Sequence, residues 1–106
     1  MIKDHDSDIC GLEVRDPYGD KIGTVREVWT DEDTGEPVWA CVDTGFLGRH
    51  HSFLPLNAAT LVPGHLAVSV AKHHVDDAPQ VHPMGNTMEP VEQDVLDAYY
   101  RSRESA

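Results

Sequence analysis

Histidine has the most potential for metal or acid–base chemistry in this sequence, which contains seven histidines in 106 residues. His50 and His51 are adjacent, and neighbouring side chains on a strand point to opposite faces, so these two make a poor metal site by themselves. A second adjacent pair is followed by two aspartates, although solvated surface histidines are the simpler interpretation. We predict no metal and no other cofactor, and the weak metal candidates are His73, His74, Asp76 and Asp77.

An acidic loop, Asp31-x-Asp33-x-Gly35, contains part of a calcium-loop pattern. Its glycine comes one position early, and Val42 stands at the twelfth position, where a bidentate glutamate is required. We therefore interpret this segment as a hairpin loop in which Gly35 is available for a positive φ.

The two cysteines form no recognisable catalytic or metal motif, since Cys10 and Cys41 are not a Cys-x-x-Cys pair. They can form a disulfide if the first and third predicted strands are neighbours, and otherwise they are small apolar core residues. The sequence has no Ser-His-Asp pattern and no nucleophile elbow. We therefore expect that the protein is not an enzyme.

The charge balance argues against several classes of partner. The sequence has 8 Lys and Arg against 19 Asp and Glu, a net charge of −11, which repels nucleic-acid phosphates and anionic membrane surfaces. No apolar run approaches the roughly 20 residues that span a bilayer, and the acidic N-terminus does not resemble a signal peptide. We expect a cytoplasmic protein that binds neither nucleic acid nor membranes.

Short strands must position these residues, because apolar and polar residues alternate along much of the chain. The predicted strands are 9–15, 21–30, 38–44, 50–56, 59–62 and 66–70. In the second strand Ile22, Val25 and Val28 are three residues apart, which indicates a bulged or strongly coiled strand that bends to close a small barrel. Turn and bend positions make up the predicted structural residues: Asp16, Gly19, Gly23 and Gly35.

Composition divides the chain into four segments: a flexible acidic arm at 1–8, a barrel domain at 9–79, a linker at 80–87 and a helical tail at 88–106. In the tail, Pro90 and Glu92 suit the first turn of a helix, and apolar residues recur at helical spacing. This apolar face either packs on its own barrel or meets another chain.

Several motifs together make the sequence resemble a PRC-barrel domain over residues 9–82. They are Gly11-Leu12-x-Val14-x-Asp16-x-x-Gly19-x-x-Ile22-Gly23-x-Val25-x-x-Val28, Asp31-x-x-Thr34-Gly35, the segment 38–45, Phe53-Leu54-Pro55-Leu56 and Lys72-x-x-Val75-x-x-Ala78-Pro79. The resemblance implies a short, bent, mostly antiparallel barrel of about half a dozen strands that acts as a protein-docking or assembly module. It implies no catalytic residues. The chain lacks the membrane helix of the reaction-centre H subunit and the partner domain of the ribosome maturation factor, so neither specific function is expected.

We therefore predict a mainly β fold, a small bent antiparallel β-barrel with a short C-terminal helix, that serves as a non-enzymatic interaction module and self-associates as a homodimer. The alternative is a stress-related protein that binds a small molecule or metal through its histidines and acidic loops. The predicted contacts with a protein partner are apolar residues of strands, loop tips and the tail: Trp39, Phe46, Leu47, Leu96, Tyr99 and Tyr100.

Overall fold

Seven strands and two α-helices form the part of the chain that the computed structural model describes, which is residues 2–4, 8–45, 50–79, 81, 83 and 87–104. In chain order the elements are β1 (Ile2–Asp4), β2 (Glu13–Arg15), β3 (Lys21–Thr30), β4 (Pro37–Thr44), β5 (His50–Pro55), β6 (Ala59–Val62), β7 (His65–Val68), α1 (Lys72–Asp76) and α2 (Pro90–Glu104). A 3-10 turn, Leu56–Ala58, joins β5 to β6.

One curled sheet contains all seven strands. Six of them follow the order β5-β4-β3-β2-β7-β6, and β1 pairs with the last residues of β3. Neighbouring strands are antiparallel except β2 and β7, which run parallel. No tight turn joins these two strands, so nothing local requires them to be antiparallel. The sheet forms a half-barrel, and the predicted mainly β, bent-barrel fold class is confirmed.

Two bulges explain the three-residue spacing in β3. Against β2 the register skips Ile22, and against β4 it skips Arg26. Each skipped residue shifts the side-chain alternation by one, so Ile22, Val25 and Val28 all reach the same interior cluster. The prediction of a bulged β3 is confirmed.

The sheet is buried on both faces. Its inner face and α1 enclose an aliphatic cluster: Val14, Ile22, Val25, Val28, Ala40, Val42, Leu54, Leu66, Val68 and Val75. Its outer face carries a second, aromatic-rich cluster: Trp29, Trp39, Cys41, Phe53, Ala78, Met88, Leu96 and Tyr100. Strand alternation supplies both, because neighbouring residues of β4 such as Trp39 and Ala40 point to opposite faces.

Gly23 is required because β4 approaches it closely. A Cβ atom at this position would overlap the carbonyl oxygen of Asp43 and lie 2.8 Å from Cγ1 of Val42. The φ angle of Gly23 is not positive, so the constraint is steric rather than conformational. One bulge, at Ile22, is next to Gly23, and the other, at Arg26, is three residues further along β3.

Asp16 joins the turn between β2 and β3 to the start of α1. Its Oδ1 accepts hydrogen bonds from the backbone N–H groups of Tyr18 (3.0 Å) and Asp20 (2.8 Å), and its Oδ2 accepts one from Lys72 (2.9 Å). Burial by itself opposes ionisation, but the three N–H donors outweigh it and lower the pKa of the Asp16 carboxyl. Gly19 completes the turn with a φ of 84°.

Within the predicted flexible arm, residues 2–4 form β1. Two contacts of Lys3 hold this strand to β3: its Nζ lies 3.8 Å from Oε2 of Glu27 and 5.7 Å from the centre of the Trp29 ring. The strand could not be predicted from its polar sequence, because it is formed by backbone hydrogen bonds to β3. Most of the predicted linker, 80–87, lies outside the described residues.

We predict that Gly23→Ala lowers the free energy of unfolding by about 3 kcal/mol, because the new methyl group displaces the β4 backbone. Urea unfolding measures the change. Gly64→Ala is the matched control: Gly64 has a φ of 89° but nothing within 4 Å of an added Cβ, so it should cost only about 1 kcal/mol. Equal losses in the two variants would contradict the steric argument.

We predict that Asp16→Asn lowers the melting temperature at neutral pH. The variant replaces one carboxylate oxygen with an amide nitrogen, which cannot accept the hydrogen bond that Lys72 N–H now donates. Since the folded-state pKa of Asp16 is lowered, its contribution is complete above the unfolded value of about 3.9 and is lost as the pH falls below it. The difference from wild type should therefore shrink in acid. The control, Asp33→Asn in an exposed loop, should change little; a pH-independent difference would refute the ionic role.

Candidate functional site

Helix α2 covers the outer face of its own sheet. The apolar residues of the tail therefore pack on their own barrel, one of the two alternatives that the sequence left open. Leu96 and Tyr100, one turn apart, are buried against the aromatic cluster. The Tyr100 hydroxyl donates a 2.5 Å hydrogen bond to the carbonyl oxygen of Phe53 in β5, and its ring lies 6.1 Å from that of Trp39. Burial raises the pKa of the Tyr100 hydroxyl well above its usual value.

This packing corrects three of the predicted partner contacts. Trp39, Leu96 and Tyr100 are 2%, 0% and 3% exposed, so a partner cannot reach them while α2 is docked. Each was correctly predicted to make apolar contacts, but those contacts are with other residues of the same chain. Tyr99 is half-buried, and Phe46 and Leu47 lie outside the described residues.

His74 belongs to an aromatic cluster rather than to a metal site. Its ring stacks on Tyr99 with centres 4.5 Å apart, and it lies edge-on to Tyr100. The Tyr99 hydroxyl donates to the His74 carbonyl oxygen at 2.6 Å and lies 3.1 Å from Nδ1 of the same residue. Because His74 is turned inward while His73 is exposed, the two cannot act together.

The other metal candidates, Asp76 and Asp77, are exposed. Across the described segments, no three His, Cys, Asp or Glu side chains are grouped to hold a metal ion. The Asp31 loop is likewise a turn, since Asp31 Oδ1 accepts the N–H groups of Asp33 and Thr34 and Gly35 has a φ of 73°.

The cysteines lie on opposite faces of the sheet, with Cys10 packed against the inner cluster and Cys41 within the outer one, and no disulfide joins them. Burial, together with the Glu27 and Asp43 carboxylates, raises the pKa of Cys41 to about 12. This thiol therefore remains protonated at neutral pH and is a poor nucleophile.

An exposed polar cluster lies across β3, β4 and β5. The Nδ1 of His51 donates to Oδ1 of Asp43 at 2.7 Å, and Arg26 lies 3.5 Å from the same oxygen. The Arg26 guanidinium is also 3.3 Å from Nε2 of His51. The three side chains satisfy one another, so this cluster is a structural ion pair at the bulge.

A cleft of about 740 Å³ opens at one end of the half-barrel. There the inward-facing positions change from apolar to polar. On β4, Ala40 and Val42 are followed on the same face by Thr44. On β5, the face that carries Leu54 also carries Ser52 and His50. We call it the mouth cleft and define it by six lining residues: Lys21, Thr44, His50, Ser52, Lys72 and Asp76.

Sequence reasoning missed the mouth cleft. A signal was present, because polar residues occupy positions in β4 and β5 that the alternation assigns to the interior. That signal can be interpreted only once the strand register is known, since a shift of one residue would place them outside.

The comparisons with known proteins agree with the half-barrel. A protein-family model described as PRC-barrel domain matches residues 1–75 of the 106. The chain belongs to the PRC-barrel domain family. No curated protein matches the sequence. The PRC-barrel match includes β1 and ends within α1, so the aromatic contacts with α2 lie partly beyond it.

The α2 helix of this PRC-barrel protein also presents an apolar outer face. Val91 and Val95, one turn apart, are 67% and 41% exposed. Among the described helices, none is long and apolar enough to cross a membrane.

We predict that Tyr100→Phe lowers the free energy of unfolding by about 1–2 kcal/mol at neutral pH, since the buried carbonyl of Phe53 loses its donor. The raised pKa of Tyr100 means that wild type also loses stability as the pH rises above about 10, where the unfolded hydroxyl ionises. The variant should lose less there. Tyr18→Phe, at an 80% exposed position, is the control and should be neutral; equal effects would contradict the docking contact.

Proposed function

We propose that this protein is a non-enzymatic, cytoplasmic protein-docking module that self-associates through the outer face of α2. The observation that carries the proposal is the exposure of Val91 and Val95, which lie one turn apart on α2. Trp39, Leu96 and Tyr100, which were first assigned to this role, are buried within the chain, whereas these two valines are exposed. PRC-barrel domains are often protein-interaction modules, which supports the same class of function.

A second copy of the chain suits this face because of its charge pattern. The acidic residue Asp94 lies in the first half of α2, and Arg101 lies toward its end. In an antiparallel pair related by a two-fold axis, the acidic half of one helix faces the basic end of the other. Val95, near the middle of the helix, then meets its own counterpart.

The non-enzymatic part of the proposal rests on the chemistry of the described side chains. The Cys41 thiol is protonated and buried, and His51 is held between Asp43 and Arg26. His74 is packed between tyrosine rings. The hydroxyl beside His74 belongs to Tyr99, and it donates its proton to the His74 carbonyl oxygen at 2.6 Å.

We predict that wild type dimerises at high micromolar concentration and that the double variant Val91→Asp, Val95→Asp raises the dissociation constant at least about tenfold. Burying two carboxylates at the centre of an apolar contact is costly. Sedimentation velocity and light scattering measure the equilibrium.

The matched control is Leu61→Asp, which introduces the same charge at a 61% exposed apolar residue of β6. It should leave dimerisation unchanged. A strictly monomeric wild type would overturn self-association, and equal weakening by the control would overturn the assignment to α2.

A further inference from the structure

We propose that the edge of β6 binds an extended, positively charged peptide segment of a partner protein as an additional strand, with an apolar side chain of the segment beside Leu61. The face of α2 proposed for self-association is a separate surface, so this inference does not rest on it.

The two terminal strands of the sheet differ in how they are covered. These strands are β5 and β6, at the two ends of the order β5-β4-β3-β2-β7-β6. Helix α1 packs against β5, and the Tyr100 hydroxyl of α2 donates to the Phe53 carbonyl oxygen of that strand. On β6, by contrast, Thr60 and Leu61 are both exposed. Exposed edge strands pair readily with further chains, so β6 is the edge at which a strand can be added.

The hydrogen bonds between β6 and β7 determine which backbone groups of β6 point outward. Antiparallel strands alternate between residue pairs that exchange hydrogen bonds and pairs that do not. The N–H of Ser69 donates to the carbonyl oxygen of Ala58 at 2.9 Å, so this pair is of the bonded kind. Every second residue of β6 then bonds to β7, namely Thr60 and Val62. The N–H and C=O of Leu61 therefore point away from β7.

These outward groups of Leu61 are available to a further strand. In the described part of the chain, no strand adjoins β6 on that side, and no turn or cap hydrogen bond uses Leu61. One residue with its N–H and C=O both directed outward can exchange two hydrogen bonds with an added strand. The carbonyl of Ala59 points the same way and adds an acceptor, whereas its N–H bonds to Leu56. Pro63 has no N–H, which limits the site to a short segment.

The side chain of Leu61 indicates which residue type the added strand places there. Leu61 pairs with Leu66, which is 3% exposed in the inner cluster, and Ala59 packs against the same cluster. Leu61 thus lies on the core face of the sheet but is 61% exposed, at its edge. The residue opposite Leu61 on an added strand directs its side chain to that same face. An apolar side chain there would extend the inner cluster.

Charge favours a basic segment. The four residues of β6, Ala59–Val62, carry no charge of their own, whereas the whole chain has a net charge of −11. This field attracts cationic partners and repels anionic ones. Lysine or arginine on both sides of the apolar residue therefore strengthens binding, and the backbone pairing requires that the segment be extended.

The test is a titration of the full chain with the peptide acetyl-Lys-Lys-Thr-Val-Thr-Lys-Lys-amide, followed by NMR amide shifts and hydrogen exchange. In the free protein, the amide of Leu61 should exchange at least about tenfold faster than those of Thr60 and Val62, which bond to β7. Saturation with the peptide should slow exchange at Leu61 at least about tenfold, and the largest shifts should fall within β6.

Modified peptides separate the backbone and charge contributions. N-methylation of the valine removes the N–H that pairs with the Leu61 carbonyl, so this peptide should bind at least about tenfold more weakly. Replacing the lysines with glutamates should weaken binding at least as much, because the chain is acidic.

Protein variants assign the site to Leu61. Leu61→Pro removes an N–H that points away from β7, a position where edge strands tolerate proline, and it should abolish protection by the peptide. Val62→Thr changes a side chain on the opposite face and is the matched control, which should bind as wild type does. The double variant Val91→Asp, Val95→Asp should also bind the peptide normally, so a failure of self-association leaves this test intact.

Four results would overturn the inference. One is slow exchange of the Leu61 amide in the free protein, since the edge would then be covered already; if that protection rises with protein concentration, a second copy occupies the edge. The second is the absence of shifts in β6 at millimolar peptide. The third is equal binding of the N-methylated peptide, and the fourth is equal binding of the glutamate peptide.

Discussion

The carboxylate of Asp16 is the interaction on which the arrangement of the fold depends. Its two oxygens accept N–H groups from its own turn and from Lys72, 56 residues later in the chain. The turn sets the β2–β3 hairpin, and Lys72 begins α1, which closes the inner cluster with Val75. One ionised group therefore fixes the helix to the sheet. Burying such a group costs little because its two oxygens accept three backbone N–H groups.

The sheet must bury both faces, and this determines what remains for binding. The inner face needs β3 and β4 close together, which Gly23 allows because it has no side chain to separate them. The outer face carries Trp29, Trp39 and Phe53, a surface too apolar to leave exposed. Covering it buries Leu96 and Tyr100 of α2 and leaves Val91 and Val95 exposed.

Features with local causes could be predicted from the sequence, and features with distant causes could not. The Asp16 turn and the bulged β3 follow from turn chemistry and from apolar spacing. The burial of Trp39 could not be assigned, since alternation places it on the outer face without saying whether a helix covers that face. The burial of Tyr100 could not be predicted for the same reason. The mouth cleft depends on the register of β4 and β5, which no local signal in either strand specifies.

The short helix α1 shows how the same contacts that stabilise the fold prepare the cleft. Five residues cannot form a stable helix in water, so tertiary contacts must hold it. Asp16 binds its first N–H, Val75 anchors its inner side, and Tyr99 binds the His74 carbonyl. Lys72 and Asp76 thus project from a backbone that is held on three sides.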